Sequence, residues 1–318
     1  MNHEKSPPTT SWYQAGLPYY RQSFYYKERF GCRVQKISLD GGFTCPNVDG
    51  TVALGGCTFC DNRSFSPSRR TKRISLQDQF ERGRRLVGAR YGNCKFLGYF
   101  QPATNTYASL EKLKRTYTVP LEYEDVVGIV IGTRPDCVPN EVLDYIQELA
   151  ETTYVCLEYG MQTMHDASLD WMNRGHHHDA MLDAMERSRN RGFDITAHLI
   201  LGLPGETHDM MIASAKEVIR LGVHGVKIHN LYAVERTKLA DQVRSGEVQL
   251  MDRDSYVSLA VDVLELMPDT MVIERLSGEA PSGFFVGPDW ALDKPGLQIA
   301  IKNEIERRQT YQSKRYSA

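Results

Sequence analysis

Three cysteines, Cys45, Cys57 and Cys60, stand at the spacing C-x11-C-x2-C within one glycine-rich stretch. A Cys-x2-Cys pair can direct two thiolates to one metal centre, and the earlier cysteine supplies a third from the same loop. Five glycines between Gly41 and Gly56 let the backbone bend tightly enough for amides to approach sulfur. Three ligands are one fewer than a structural zinc ion or a fully ligated iron–sulfur cubane takes. These residues therefore predict a metal centre with one open coordination position.

Two other interpretations of these cysteines remain open at this point. A structural zinc knuckle could be completed by a distant Cys or His, and the three could also be unrelated buried thiols. The spacing and the glycine content favour an iron–sulfur centre over zinc. The open iron corner of such a centre can bind and reduce a small molecule.

The composition is that of an ordinary globular protein. Of the 318 residues, 41% are apolar and 25% are charged, and the formal net charge is −2. The sequence contains no run of 18 apolar residues, so we predict no membrane span, and Met1–Thr10 lacks the apolar segment of a secretory signal. Seven cysteines, an odd number, argue against a disulfide framework and indicate a reducing compartment. We therefore predict a cytoplasmic protein.

Six short apolar segments alternate with helical segments along the chain. The predicted strands are Arg33–Leu39, Lys95–Phe100, Val126–Ile131, Tyr154–Gly160, Phe193–Leu201 and Val223–Leu231. This rhythm predicts a parallel sheet with crossover helices, whose reactive groups lie at the carboxyl ends of the strands. We predict an α/β fold, a partial (β/α)6 barrel with N- and C-terminal extensions. Residues 1–30 are expected to be a partly disordered arm, 31–235 the core barrel, and 236–318 a C-terminal extension of helices and strand packed on the core.

Two segments near the cysteine loop have compositions that could favour nucleic acid. The aromatic and basic stretch from Trp12 to Arg29 is more simply a packing arm, although such residues also stack nucleobases. A second segment carries nine basic residues against two acids, a local charge of +7. A solvated helix face explains such a run, but a patch beside a metal site would also attract RNA, and both interpretations remain open. The nine are Arg63, Arg69, Arg70, Lys72, Arg73, Arg82, Arg84, Arg85 and Arg90.

Several motifs, taken in order, resemble the radical S-adenosylmethionine (SAM) superfamily. The segment from Cys45 to Cys60 is similar to the hallmark CPNxDGTxxxGGCTFC of a short bacterial branch related to the Elongator catalytic subunit. Each further match is weak alone, but their order at strand ends is specific. They are YFQ at 99–101, TNT at 104–106, GTRPD at 132–136, EYGMQT at 158–163, NRGH at 173–176, LGLPGE at 201–206 and ERLSG at 274–278. The resemblance covers residues 24–308 and extends to the oxygen-independent coproporphyrinogen oxidase.

The resemblance implies a role for each matching position. Cys45, Cys57 and Cys60 would hold a [4Fe–4S] cluster whose open iron binds SAM, and Phe59 would lie near the adenine. The residues implied to bind SAM are Phe59, Gln101, Thr104, Thr133, Arg134, Glu158, Gln162, Arg174, His198, Gly202, Leu203 and Pro204.

Within this set, Gln162 and Arg174 are expected to face the methionine carboxylate or the ribose, and His198 the ribose. Residues 201–204 are expected to pass along the adenine. Simpler alternatives are a helix cap for Gln162, a surface ion pair of Arg174 with Asp170 or Asp179, and a core position for His198.

The chain departs from its relatives at the SAM amino group. The turn 101–106 replaces a Gly-Gly-Glu segment, and Gly132 stands where relatives often have an acid. Glu158 is the residue expected to compensate.

The resemblance also implies the reaction, which is reductive cleavage of SAM to a 5′-deoxyadenosyl radical. The leading hypothesis is modification of a tRNA wobble-uridine side chain, with flavodoxin or ferredoxin as electron donor and tRNA as partner. Alternatives are radical SAM chemistry on a small metabolite or tetrapyrrole, and a non-catalytic, metal-stabilised protein that binds nucleic acid.

Overall fold

The computed structural model describes residues 8–70, 74–278 and 281–317. Lys72 and Arg73 of the basic segment lie outside these residues, as does the expected disorder of residues 1–7. Within the described part of the chain, we find no helix both long and apolar enough to cross a membrane.

The fold is built on one curled, seven-stranded parallel sheet that forms a half-barrel. The strands in spatial order are β1 Val34–Leu39, β2 Lys95–Phe100, β3 Val126–Thr133, β4 Tyr154–Gln162, β5 Asp194–Leu201, β6 Gly225–Asn230 and β8 Val272–Arg275. The first six confirm the predicted partial α/β barrel. The sequence analysis did not identify β8, because four residues are too few to show alternation. A separate antiparallel pair joins β7 Ala233–Val234 to β9 Phe285–Gly287.

Twelve helices connect and extend the strands within the described residues. They are α1 Ser11–Gln14, α2 Gln22–Phe30, α3 Asn62–Phe65, α4 Leu76–Tyr91, α5 Leu110–Leu121, α6 Asn140–Ala150, α7 Asp166–Trp171, α8 His178–Ser188, α9 His208–Leu221, α10 Lys238–Ser245, α11 Arg253–Leu266 and α12 Lys294–Arg307.

Alternation along each strand divides the sheet into an outer and an inner face. On β5, Ile195, Ala197 and Leu199 join the large core beneath the helices, whereas His198 and Ile200 line the inner cavity. The other strands follow the same rule, so their polar residues collect inside the curl. The outward-facing residues of each strand therefore pack in the core, and the inward-facing residues line the site.

The narrow, amino-terminal end of the half-barrel is closed by apolar side chains. Tyr26 of α2 is buried there with Val34, Leu97, Val130 and Tyr154. The aromatic stretch predicted near the N-terminus thus supplies a packing residue for the base of the barrel.

Candidate active site

The cysteine loop follows β1 and is anchored to the segment between α7 and α8. The Thr58 backbone N–H donates to the Met172 carbonyl at 3.0 Å, and Asn47 Nδ2 donates to the Arg174 carbonyl at 2.9 Å. Gly175, with φ +69°, completes the anchor. A larger residue would not fit there, because a Cβ would lie 2.5 Å from Val52 Cγ1. The loop is therefore held by backbone contacts and by close packing.

Cationic and amide donors surround the cysteine sulfurs. Arg174 Nη1 and Asn47 Nδ2 each lie 3.5 Å from Cys57 Sγ, and Arg134 Nη1 lies 4.0 Å from Cys45 Sγ. Both arginines are almost fully buried. Such donors stabilise sulfur in its anionic, metal-binding form.

The third thiol shows how much the site needs positive charge. Cys60 is exposed where it lines the cavity, yet its thiol lies among protein atoms. Burial raises the pKa of Cys60 strongly, and the thiols of Cys57 and Cys45 raise it further, while Arg174 opposes them. A bound metal centre would supply the compensating charge.

These features fit the predicted iron–sulfur cluster. All three cysteines line one cavity. A cubane spaces its cysteines around four irons, so three thiolates that line one cavity suit it. Two buried atoms beside the thiols, Arg174 Nε and Asn47 Oδ1, also lack a hydrogen-bond partner within the described residues.

The cavity gathers most of the residues predicted to contact SAM. Its lining includes all three cysteines together with Phe59, Gln101, Thr104, Thr133, Arg134, Glu158, Gln162, Arg174 and His198. Residues far apart in the sequence thus meet at the carboxyl ends of five strands and the loops that follow them.

Gly202, Leu203 and Pro204 are not among the described residues that line this cavity. Leu203 is buried in an apolar cluster that includes Ile200 and Leu231, both of which line the cavity, and Gly202 turns the chain with φ +88° beside Met251. The inward position on this stretch belongs to Ile200. The expectation that residues 202–204 border the ligand stays a prediction.

The turn after β2 uses its polar groups mostly for structure. Asn105 Nδ2 donates to the Gly132 carbonyl at 2.7 Å, and Thr106 Oγ1 lies 2.5 Å from Thr133 Oγ1. Gln101 Oε1 accepts a weak bond from Ser38 at 3.3 Å, so its amide nitrogen stays available to the cavity. Of these groups, Gln101 is the best placed to contact a ligand.

An irregularity at the end of β4 positions two further side chains. The pairing register shifts between Tyr159 and Gln162, and Gln162 has φ +69°. Gly160 lies between them, where a Cβ would meet Gln162 Nε2 at 2.7 Å and Arg174 Nη2 at 3.3 Å. Arg174 Nη2 donates to the Gly160 carbonyl at 2.9 Å and forms no ion pair with Asp170 or Asp179. The surface-pair interpretation of Arg174 is therefore wrong.

A layer of buried charge lies between the cavity and the apolar base of the barrel. Glu158 accepts from Lys36 and Lys227 at 2.8 Å each and from the Tyr99 hydroxyl at 2.6 Å, and His198 Nε2 lies 2.9 Å away. Three of these contacts are made by Oε2, whereas Oε1 accepts from Lys36 alone. Glu158 lines the cavity, and its expected role in compensating for a missing amino-group ligand stays a prediction.

A second carboxylate completes the layer. Glu274 accepts from Lys36 at 2.7 Å and from Thr196 Oγ1 at 2.8 Å. Burial would raise the pKa of Glu158, but Lys227 and Lys36 hold it well below its usual range, and the two glutamates hold the pKa of Lys36 above its own. Burial lowers the pKa of Lys227 and of His198.

Comparison with known proteins identifies the family. The family model described as Radical SAM superfamily matches residues 53–218, and the one described as Radical_SAM C-terminal domain matches residues 223–307. The first match covers more than half of the chain. The chain belongs to the radical SAM superfamily.

The chain is also similar to individual proteins and shares its fold with a solved structure. The chain is 39% identical over 296 residues to Uncharacterized protein YtqA of Bacillus subtilis (strain 168), covering 93% of this chain and 92% of that protein. It is 24% identical over 163 residues to a tRNA uridine(34) acetyltransferase of Methanocaldococcus jannaschii, covering 50% of this chain and 30% of that enzyme. The structure of Elp3 from Methanocaldococcus infernus, lacking residues 1–46, shares the fold with a TM-score of 0.64 and 18% identity. That alignment covers 88% of this chain and 64% of Elp3.

Radical SAM enzymes use a [4Fe–4S] cluster and SAM, which confirms the predicted cofactors. The family match begins at residue 53, beyond Cys45. The assignment of the cluster to Cys45, Cys57 and Cys60 therefore rests on their shared cavity and stays a prediction, as do the individual SAM contacts.

The residues on the far wall of this radical SAM cavity are not predicted from the sequence as ligand contacts. Besides Tyr99, they come from β6, β8 and the loop after β6, and they are Lys227, His229, Asn230, Tyr232 and Arg275. A signal was present in the segment GVKIHN, where polar residues alternate with apolar ones inside a strand.

Proposed function

We propose that this radical SAM enzyme belongs to the Elongator-related branch and modifies the side chain of a tRNA wobble uridine. The observation that carries the proposal is a second opening, lined by cations and aromatic rings, that joins the cysteine cavity. The likeness of the chain to a tRNA uridine(34) acetyltransferase and to the Elp3 fold supports the same substrate class.

The opening lies at the gap between the first and last strands of the sheet. Arg70, Lys36 and Arg275 line it, together with Phe65. The Arg70 guanidinium also lies over the Phe284 ring, with its carbon 5.4 Å from the ring centroid. Cations beside aromatic rings suit the phosphates and bases of single-stranded RNA, such as an anticodon loop.

The residues of the chain would divide the work of the reaction. The chemistry that the cluster and SAM supply when bound is one-electron cleavage of SAM into methionine and a 5′-deoxyadenosyl radical that removes hydrogen from a C–H bond. Cys45, Cys57 and Cys60 would hold the cluster, and Arg174 would offset part of its negative charge, whereas Arg134 is paired with Asp136 at 2.7 Å. The hydrogen-bonded network around Glu158 keeps the floor of the cavity in place.

The basic segment supports RNA binding less strongly than its sequence suggests. Arg63, Arg69 and Arg84 form ion pairs with acids outside the segment, namely Asp61, Asp40 and Asp125. Arg69 also donates to the Phe43 carbonyl at 2.9 Å, so it braces the cysteine loop. The exposed Arg82 and Arg85 on α4 are the better candidates for contacts with RNA phosphates.

The exposed part of the cysteine loop suits the predicted electron donor, flavodoxin or ferredoxin. Val48, Val52 and Leu54 are large apolar residues, 58%, 47% and 79% exposed, and all three lie between the first two cysteines. An apolar patch beside the cluster would let a donor protein approach closely.

Nucleoside analysis by mass spectrometry tests the proposed substrate. A strain lacking this chain should lose one wobble-uridine derivative and accumulate its precursor. Reconstituted protein, reductant and SAM should convert that precursor in the isolated tRNA, and a Cys57→Ser variant should not. Unchanged uridines in the deletion strain, together with SAM cleavage by the purified protein, would assign the same chemistry to a different substrate.

A further inference from the structure

The inner charged layer contains one more cation than its acids neutralise. Lys36, Lys227 and Arg275 face Glu158 and Glu274, and the two glutamates are occupied by the two lysines. Over the described residues, no carboxylate lies within ion-pair distance of Arg275. The layer therefore carries an uncompensated positive charge at this side chain.

The surroundings of Arg275 do not compensate for that charge. Its Nη2 lies 2.6 Å from His229 Nδ1, and its buried Nε lacks a hydrogen-bond partner among the described residues. Burial lowers the pKa of His229 well below its usual value, and Arg275, His198 and Lys227 lower it further. The His229 ring is thus neutral at physiological pH, so it does not compensate for the charge of Arg275. A partly buried cation without a counter-charge is costly unless a ligand supplies one.

The position of Arg275 indicates which kind of ligand would supply the missing negative charge. The side chain lines both the cysteine cavity and the adjoining opening. Arg134 and Arg174 lie at the opposite wall beside the cysteines, where the methionine end of SAM is expected. A molecule that enters through the opening meets Arg275 before it reaches the cluster loop.

We propose that Arg275 is the binding site for an oxyanion of the substrate, a carboxylate or phosphate held by the planar guanidinium fork. This assignment rests on the proposed function, since it describes how the same cavity selects its substrate. A guanidinium presents parallel N–H donors that match either oxyanion, and the neutral His229 ring supports it from one side. The site thus selects substrates that carry negative charge next to the position of hydrogen removal.

Anion binding to the reconstituted, SAM-bound protein tests this site with simple probes. Inorganic phosphate and acetate, titrated in separate series, should raise the melting temperature of the wild-type protein in a saturable way. Arg275→Gln should weaken the affinity for whichever probe binds by about tenfold or more, because a charge-assisted bond is lost. Arg275→Lys should retain part of the affinity. Lys302→Gln, a matched removal of an exposed surface cation, should leave the response unchanged.

Two further measurements separate the sources of the anion and a structural role. The dissociation constant of SAM should change less than about twofold in Arg275→Gln, whereas an increase of about tenfold would identify the anion as the SAM carboxylate and overturn the proposal. Without added anion, Arg275→Gln should melt at the wild-type temperature or above, because an uncompensated buried charge is removed. Equal anion responses in the wild type and Arg275→Gln would also overturn the proposal.

These results do not depend on tRNA as the substrate. An unchanged tRNA nucleoside profile with an Arg275-dependent anion response would reject the proposed function and retain an anionic substrate of another class. A changed nucleoside profile without that response would retain the proposed function and reject the site.

Discussion

Single residues in this protein set the charge balance of a buried layer. Glu158 illustrates the point, because its two oxygens accept from Lys36, Lys227 and Tyr99. Its side chain has no solvent exposure, so water cannot replace any of these contacts. Removal of one member of these lysine–glutamate pairs would leave a buried charge without its partner.

Glu158→Gln should destabilise the protein strongly. The substitution leaves Lys36 and Lys227 buried with a single remaining carboxylate, and removal of one member of a buried ion pair costs about 3–5 kcal/mol. Urea denaturation at neutral pH measures the change in unfolding free energy. Glu306→Gln, which removes an exposed pair with Lys302, is the control and should cost less than about 1 kcal/mol. Similar losses in both variants would show that the layer is not the sensitive feature.

The buried histidines predict that stability falls on mild acidification. The pKa of His229 is lowered well below its usual 6.5, so the unfolded chain binds a proton that the folded protein excludes. The contribution of His229 is therefore complete above pH 6.5 and is lost as the pH falls below it, by about 1.4 kcal/mol per pH unit. His229→Gln should reduce the slope of unfolding free energy against pH between 6.5 and 5.5 by about one proton. An unchanged slope would contradict the neutral, buried state of this ring.

Individual elements position the site through close packing. Helix α4 packs on β1, the strand that leads into the cysteine loop. Gly83 faces that strand, where an added Cβ would lie 2.4 Å from Ile37 Cγ2, whereas Gly88 on the same helix has open space. The two glycines therefore serve different purposes within one element.

Alanine substitutions at these glycines should have opposite effects. Gly83→Ala should cost about 1–3 kcal/mol, because it overpacks the helix against the strand. Gly88→Ala should stabilise the protein by about 0.5–1 kcal/mol through helix propensity alone. Urea denaturation of both variants provides the measurement, with each serving as the control for the other. Stabilisation by Gly83→Ala would mean that α4 does not lie closely on β1.

The sequence predicts most of the elements and only one wall of the site. The first six strands are apolar and regular, so periodicity locates them, whereas β8 is too short for any period. The cysteine loop was visible because Cys-x2-Cys spacing is a local signal. Arg275 and Lys227 depend on how the sheet curls, since only the curl brings the last strands opposite the first. The predicted ligand contacts of Gly202–Pro204 stay open, because their distance past the end of β5 cannot be read from the motif.

The molecule as a whole is layered from an apolar base through a charged floor to a cavity, with the cysteine loop at the rim. Three of its exposed large apolar residues, Val48, Val52 and Leu54, lie on that loop. Since the cluster is predicted to lie on this loop, we expect electrons to enter there, which would link the surface of the loop to the activity of the cavity.

Leu54→Asp should weaken reduction by a donor protein more than reduction by a small reagent. We expect the ratio of flavodoxin-driven to dithionite-driven SAM cleavage to fall by about fivefold or more, because a charge disrupts apolar docking. Leu86→Asp, at an apolar residue of α4 that is 61% exposed, is the control and should preserve the ratio. An equal ratio in Leu54→Asp and the wild type would place the docking surface elsewhere.

The contacts of the N-terminal segment with the first and last strands of the sheet have a consequence for the opening between those strands. Arg21 bridges to Ile273 of β8, the Ile273 N–H donates to the Tyr20 carbonyl at 2.8 Å, and α2 contacts both β1 and β8. The first and last strands of the sheet are thus joined near their amino-terminal ends by the segment that leads into α2. Gln22 of α2 also lines the adjoining opening, so the segment that joins the two strands also shapes the route toward the cysteine cavity.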